Sequence, residues 1–407
     1  MNQTARPKIN MMLAFSVGAV LFSAHAGGGF ATGNQANTYY VQLGWMGPIA
    51  AIISMLLLTL TMRQAMVMYN SRNLTSCKQL METLFHPFDK IAWVFDVFFY
   101  IMVLMAIAAA ISGAASAMQS FFGLNYYIGI GTIGVVVMLL TIFGADLVRA
   151  ASTYMGIGIL ITAIAIYAIG IFNGERSIVD VIRTDFAQNG FDAFPAMMKN
   201  AFVYAGFQCV TLPTLMACGT PLRNRKSCAA SMWISFAMNA VALVLSVFML
   251  ISWQNVYTAV EGGTTIPTLT SCTSMGMTWL TVAYSICLLL CLVSTGVTVT
   301  FGFVARFENA SFYHAIPSKT TRNAISAIFI IVLSMGISLA GLTNIIKYGY
   351  GYCGYLGIAV VVIPFLTIGV YKNRKFMQQH GEAFKDTAQA VQEAEIEVVE
   401  KGVTTYA

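Results

Sequence analysis

The sequence predicts an all-α polytopic membrane protein of ten transmembrane helices, arranged as a 5+5 inverted repeat with helices 1 and 6 broken. Three observations lead there. Ten apolar segments are each long enough for the ~20 residues that cross a bilayer core. Basic residues gather on alternate loops. Glycine, glutamine and proline interrupt the first and sixth segments, where an ordinary span carries leucine and isoleucine.

Composition sets the class. The 407 residues are 58% hydrophobic and only 9% charged, with a mean hydropathy of +0.74, whereas a soluble domain carries roughly 25% charged residues. The net charge of +6 lies in short loops between spans, so it points to the lipid bilayer as partner and to no nucleic acid. Eight cysteines show no CxxC or metal-ligand spacing and read as small packing residues. The four histidines are isolated. Phosphate loops of the GxxxxGK[ST] type are absent, and catalysis would want clustered His, Asp or Glu within the spans. A cofactor-free protein that is not an enzyme is expected.

In chain order the spans are expected at 11–42, 46–70, 91–118, 125–145, 150–172, 199–220, 227–252, 277–305, 322–341 and 343–371. Arg6, Lys8, Arg72, Lys78, Lys90, Arg149, Arg223, Arg225, Lys226, Arg306, Lys319, Arg322, Lys372, Arg374 and Lys375 fall on one side. Arg176, Arg183, Lys199 and Lys347 fall on the other. Both termini are therefore expected in the cytoplasm, with the chain in a bacterial inner membrane. The organisation is a cytoplasmic N-terminus (1–10), a first repeat (11–172), an extracellular loop with a short helix (173–198), a second repeat (199–371) and a cytoplasmic tail (372–407). Loop 71–90 is expected to hold another short helix, and Glu393, Glu395, Glu397 and Glu400 a short exposed acidic one. Arg6 and Lys8, an apolar run and Ala24-His25-Ala26 also fit a cleavable signal peptide. The apolar run resumes beyond the glycines, however, which favours a retained span.

The stretch that organises the chain runs from Ser23 to Asn37 and holds Gly27, Gly28, Gly29 and Gly33. An unwound turn within a membrane survives only where protein or a wet cavity satisfies its N–H and C=O groups. Five spans per half is an odd number, so a duplicated half inverts, and span 6 becomes the counterpart of span 1. It carries Tyr204, Gly206, Phe207, Gln208 and Pro213. Span 8 carries Cys291-x-x-Ser294-Thr295, two hydroxyls and a backbone carbonyl on one helical face. Such hydroxyls also back-bond to the preceding turn. Combined with opened carbonyls they offer a hard cation such as sodium the ~5 oxygens it wants.

These residues resemble the amino acid–polyamine–organocation transporter superfamily, with the inverted five-plus-five fold of the bacterial leucine transporter. Gly28-Gly-Phe-Ala-Thr-Gly-Asn-Gln35 is similar to the signature of the YkvI-like bacterial membrane proteins. The resemblance implies a sodium site shared by helices 1 and 8, with carbonyls of Ser23 and Ala26 facing Cys291, Ser294 and Thr295. The hydroxyl order on helix 8 is the reverse of the family's.

The amides of the break, from Gly27, Gly28 and Gly29 to Ala31 and Thr32, suit a carboxylate. Tyr204, Phe207 and Gln208 are candidates to close over a solute, and Asp96 and Tyr100 on span 3 to face it. Asp96 is a carboxylate within a span, yet it lies near enough to Lys90 to pair with it. His25 is read as a proton carrier, a solute ligand or a packed neutral side chain. The expectation is a secondary active symporter of a small amino acid or amine-type solute, with sodium as the coupling ion. A proton-coupled carrier using His25 and Asp96, or a solute-sensing protein that does not pump, stays open.

Overall fold

The computed structural model describes residues 9–143, 158, 161–307, 316, 318–381 and 384. The acidic run from Glu393 to Glu400 and much of the stretch between spans 4 and 5 lie outside them. Among the described residues eight helices are long and apolar enough to cross a membrane, and none of the structure is strand. Two shorter apolar helices, Met11–His25 and Ile161–Phe172, stand where the first and fifth spans are expected.

The first segment is three helices in a row. Helix α1 (Met11–His25) starts on Asn10, whose side chain accepts the Leu13 amide at 3.1 Å and so satisfies one orphan donor. It ends at Ala26, and Gly27 is extended, with ψ −172°. Helix α2 is the single turn Gly28–Ala31. Helix α3 (Asn34–Tyr39) follows Gly33, whose φ of +79° is reached at low cost only without a Cβ. Helix 1 is thus broken twice, at Ala26–Gly27 and at Thr32–Gly33.

The rest of the first half is α4 (Gly47–Ser71), the short α5 (Cys77–Phe85) in the expected loop, α6 (Ala92–Phe122), α7 (Tyr126–Phe143) and α8 (Ile161–Phe172). Helix α9 (Ile178–Asn189) fills the predicted inter-repeat loop. The second half opens with α10 (Phe194–Gln208) and α11 (Leu212–Gly219). The 3₁₀ turn Cys209–Thr211 joins them. The interruption of helix 6 is milder than its sequence suggests. Every residue of the join keeps right-handed helical angles, and Pro213 sits at the start of α11, where its missing N–H costs no bond.

Helices α12 (Arg225–Ser252), α13 (Gln254–Ala259), α14 (Pro267–Ser274), α15 (Thr278–Phe307) and α16 (Lys319–Ser338) follow. The last, α17 (Leu342–His380), is interrupted by three π-helical stretches, a widening common at functional positions.

Packing follows the inverted repeat. Helix α1 lies along α12, and its counterpart α10 lies along α4; α6 packs on α15 and α7 on α16. The burial of α1 against α12 makes the first segment an integral part of the bundle. The bulkiest fully buried side chains include Phe22, Phe30, Tyr40, Tyr167, Tyr204 and Phe207. They place the core around the break. Helices α10 and α17 meet backbone to backbone, because a Cβ on Gly206 would overlap the Gly354 carbonyl and one on Gly357 the Gly206 carbonyl. This small-residue contact is how membrane helices approach closely without a hydrophobic drive between them.

Candidate functional site

Breaking helix 1 frees carbonyls that lipid cannot solvate, and the fold supplies a donor for each of four. The Ala26 carbonyl accepts from Cys291 Sγ on α15 at 3.1 Å. The Gly29 carbonyl accepts from Thr32 Oγ1 at 3.0 Å. Tyr284 on α15 donates its hydroxyl to the Ala31 carbonyl, and the Thr268 amide on α14 reaches the Thr32 carbonyl at 3.4 Å. The side chain of Thr295 stands against Gly27, while Leu292 and Ala110 close on Gly28 and Gln35 on Gly29.

Beside this turn runs a buried line of hydrogen bonds across three membrane segments. Asn239 on α12 points its amide nitrogen at the Ser235 carbonyl (2.8 Å) and hydroxyl (3.1 Å). Its oxygen then faces His25 Nδ1 at 2.5 Å, so that nitrogen carries a hydrogen. His25 Nε2 lies 2.7 Å from the Tyr204 hydroxyl, which lies 2.8 Å from Gln35 Oε1. Tyr204 has one hydrogen for two acceptors. With a neutral imidazole it can serve His25 or Gln35 but not both. With a doubly protonated ring, His25 donates to Tyr204 and Tyr204 to Gln35, and every acceptor is filled. The His25 ring also rests on Phe30, 5.0 Å between centroids. None of its bonded or ring partners is charged.

Beyond the second break the bundle is tied shut. Asn34 donates to the carbonyls of Thr264 (3.2 Å) and Thr265 (2.9 Å) and to the Thr343 hydroxyl (2.9 Å). Tyr257 donates to Asn37 Oδ1 at 2.8 Å, Tyr39 to the Ile346 carbonyl at 2.8 Å, and the Trp45 amide to Asp185 on α9 at 2.8 Å. These bonds join α3 and the following turn to the loop 260–266, α13, α17 and α9.

The residues singled out in the sequence fall into two groups. His25, Ala26, Gly27, Gly28, Gly29, Ala31, Thr32, Tyr204, Cys291 and Thr295 meet at the break. Ser23 is half-buried in the last turn of α1, and Ser294 is half-buried next to Thr295. Phe207 lies one layer away, its ring 4.7 Å from Tyr204 and 5.4 Å from Tyr39. Gln208 is buried at the end of α10, before the 3₁₀ turn. Asp96 and Tyr100 are not brought to the break. Helix α6 meets it through Ala110 and Gly113, about four turns beyond Asp96 and three beyond Tyr100. The Tyr100 ring instead packs 5.9 Å from Phe303.

Gln35 entered only as the end of the Gly28–Gln35 motif, and Asn239, Tyr284 and Thr268 were not singled out. Asn239 carried a legible signal, a lone amide inside a long apolar helix. Tyr284 and Thr268 carried none, since a tyrosine or threonine in such segments is ordinary.

No protein-family model and no curated protein matches the sequence. Solved structures do match. The manganese transporter of Eremococcus coleocola aligns over 98% of this chain and 94% of its own, at 13% identity and a TM-score of 0.58. A Na+-coupled sialic acid symporter in a substrate-bound outward-open state covers 89% and 90%, at 12% identity and a TM-score of 0.60. MhsT in complex with L-phenylalanine covers 91% and 93%, at 12% identity and a TM-score of 0.58. At such identities the likeness is one of architecture, and it agrees with the broken first helix and the packing of the two halves: the chain is an all-α membrane protein of the leucine-transporter fold.

Proposed function

We propose that the protein is a secondary active transporter carrying a small amino acid or amine-type solute by alternating access, in symport with sodium. The observation that carries this reading is the meeting of the opened turn of helix 1 with α15, where Cys291 bonds the Ala26 carbonyl at 3.1 Å and Thr295 stands against Gly27. Sodium would take the Ala26 carbonyl from the thiol. Carbonyls of Ser23 and Cys291 with the hydroxyls of Ser294 and Thr295 would complete ~5 oxygens. Two structural neighbours support this: one is a Na+-coupled symporter and one is bound to an amino acid. A manganese cargo is not supported. Among the described residues no three His, Cys, Asp or Glu side chains come together.

The solute would sit on the amides of Gly27, Gly28 and Gly29 and beside Ala31 and Thr32, with Tyr204, Phe207 and Gln208 closing over it. The side chains bonded around the break are neutral, which suits a zwitterion held by backbone dipoles. The basic loops favour the bacterial cytoplasmic membrane with both termini inside. The Asn34, Tyr39 and Tyr257 bonds then close the outer side. The Gly28–Gln35 motif keeps the YkvI-like proteins as the family we favour.

One observation favours a second reading, coupling to protons. His25 is a titratable ring at the break, hydrogen-bonded through both nitrogens to Asn239 and Tyr204. Proteoliposomes offered a panel of labelled amino acids decide between the two. Accumulation driven by an inward sodium gradient at equal pH supports symport with sodium. Accumulation driven by a pH gradient without sodium, lost in His25→Gln, supports the proton. Accumulation under neither gradient contradicts both.

A further inference from the structure

At the end of the bundle tied by Asn34, the chain leaving α3 is gripped from a further side. The turn Val41–Met46 joins α3 to α4 and holds one corner that suits glycine, Gly44 at φ +55° and ψ −128°. The place a Cβ would take there is filled by the Asp185 carboxylate of α9. One oxygen of that carboxylate accepts from the Trp45 amide at 2.8 Å, and the other from Asn189 Nδ2 at 2.7 Å. The Trp45 indole donates to the Gly190 carbonyl at 2.7 Å. Its ring lies edge-on to Phe186 and Phe191, at 5.1 and 5.4 Å between centroids.

Helix α9 can grip because the segment leading into it is itself pinned to the end of α12. The Trp253 indole donates to the Gly170 carbonyl of α8 at 2.8 Å, and the Arg176 amide to the Ser252 carbonyl at 3.2 Å. The Arg176 guanidinium donates to Asn255 Oδ1 at 3.2 Å. Two tryptophans thus staple the chain 170–190 at both ends. One precedes α4 and the other follows α12, counterpart helices of the two halves.

Helix α3 runs directly into the 41–46 turn. Any parting of α3 from α13 and α17 has to be taken up there, and a glycine corner is where large φ/ψ changes are absorbed. Rotation about Gly44 breaks both Trp45 bonds and carries the chain against Asp185. We propose that Gly44 is the hinge of the last fragment of helix 1, and that Asp185 and Trp45 are its latch, holding this end of the bundle closed. Only the purpose of that closure rests on the alternating-access reading.

The test is amide hydrogen exchange of the full-length protein in detergent, without sodium or solute, so that failure of the latch and failure of transport are read apart. The wild type is compared with Trp45→Phe and Asp185→Ala. The first keeps a ring between Phe186 and Phe191 and loses the indole N–H; the second keeps the indole and loses the carboxylate. Both side chains are only half-buried, and each variant stands as a check on the other. Exchange is expected to quicken in 41–46 and, by a like factor, in 34–40 and 260–266. The factor is about fivefold for the indole and about tenfold for the carboxylate, whose bonds are charge-assisted. Residues 170–176, held by Trp253, keep the wild-type rate. Quickening that reaches 34–40 in one variant alone assigns the latch to that residue. Quickening confined to 41–46 and α9 in both variants overturns the proposal, because the grip would then hold only itself, and so does no change in either.

Discussion

The Tyr204 hydroxyl lies 2.7 Å from His25 Nε2 and 2.8 Å from Gln35 Oε1, so one side chain of α10 holds both pieces of the broken first helix. His25 is the last residue of α1, before the first break, and Gln35 belongs to α3, after the second. A rocking of α10 therefore pulls on both fragments at once.

Replacing Tyr204 with phenylalanine keeps the ring, and with it the stacking on Phe207, but removes both bonds. Two buried polar groups lose a partner, at about 1–3 kcal/mol each. We expect a lowered unfolding midpoint in detergent and faster amide exchange across Gly27–Gln35. An unchanged midpoint and exchange would mean that the hydroxyl ties nothing together.

At the proposed sodium site, Cys291 and the ion would compete for the Ala26 carbonyl, which the thiol now holds at 3.1 Å. Cys291→Ala frees the Ala26 oxygen at a cost of about 1 kcal/mol in sodium-free buffer. The same variant is then expected to bind sodium about fivefold more tightly, since that ~1 kcal/mol no longer opposes the ion. Sodium titrations of stability for both proteins measure this directly, and weaker binding by the variant argues against the competition.

Asn34 ties α3 to the loop 260–266 and to Thr343 by sharing its two amide hydrogens among the Thr264 and Thr265 carbonyls and the Thr343 hydroxyl. Asn34→Ala is expected to speed amide exchange in residues 262–274 by about tenfold, equivalent to losing ~1.4 kcal/mol of local protection. Exchange near Arg72 and Lys372, at the other end, should not change.

The contact between α10 and α17 leaves no room for a methyl group at Gly357, because the Gly206 carbonyl occupies its place. Gly357→Ala should force the helices apart at about 1–3 kcal/mol. Gly262→Ala, in open space at positive φ, should cost less, and the difference in midpoint between the two isolates the packing effect.

Much of this arrangement was legible in the sequence because membrane burial leaves sharp marks. Gly27, Gly28, Gly29 and Gly33 announced the break, since three consecutive glycines with a fourth close behind make poor helix. Cys291 and Thr295 were legible as a helical face, and the matching of α1 with α10 followed from an odd number of spans per half. Distance along a helix was harder to read. Asp96 drew attention as a carboxylate in an apolar segment, but which turn of α6 meets the break depends on how α6 leans on α15. Ala110 and Gly113, the residues that do meet it, are chosen for lack of bulk and carry no chemical signal. The partners of the freed carbonyls, Tyr284 and Thr268, become visible only when α14 and α15 are packed against helix 1. The interruption of helix 6 was legible from Gly206 and Pro213, but that it takes the form of a 3₁₀ turn with right-handed angles was not.

The most direct measurement is the unfolding midpoint of the purified protein in potassium buffer as sodium is added, for the wild type and for Ser294→Ala/Thr295→Ala. The account predicts a saturable sodium-dependent rise in the wild type that the double variant loses, with both proteins responding alike to added potassium. A wild type indifferent to sodium, or a double variant that keeps the full response, would contradict an ion site shared by Ala26 and α15.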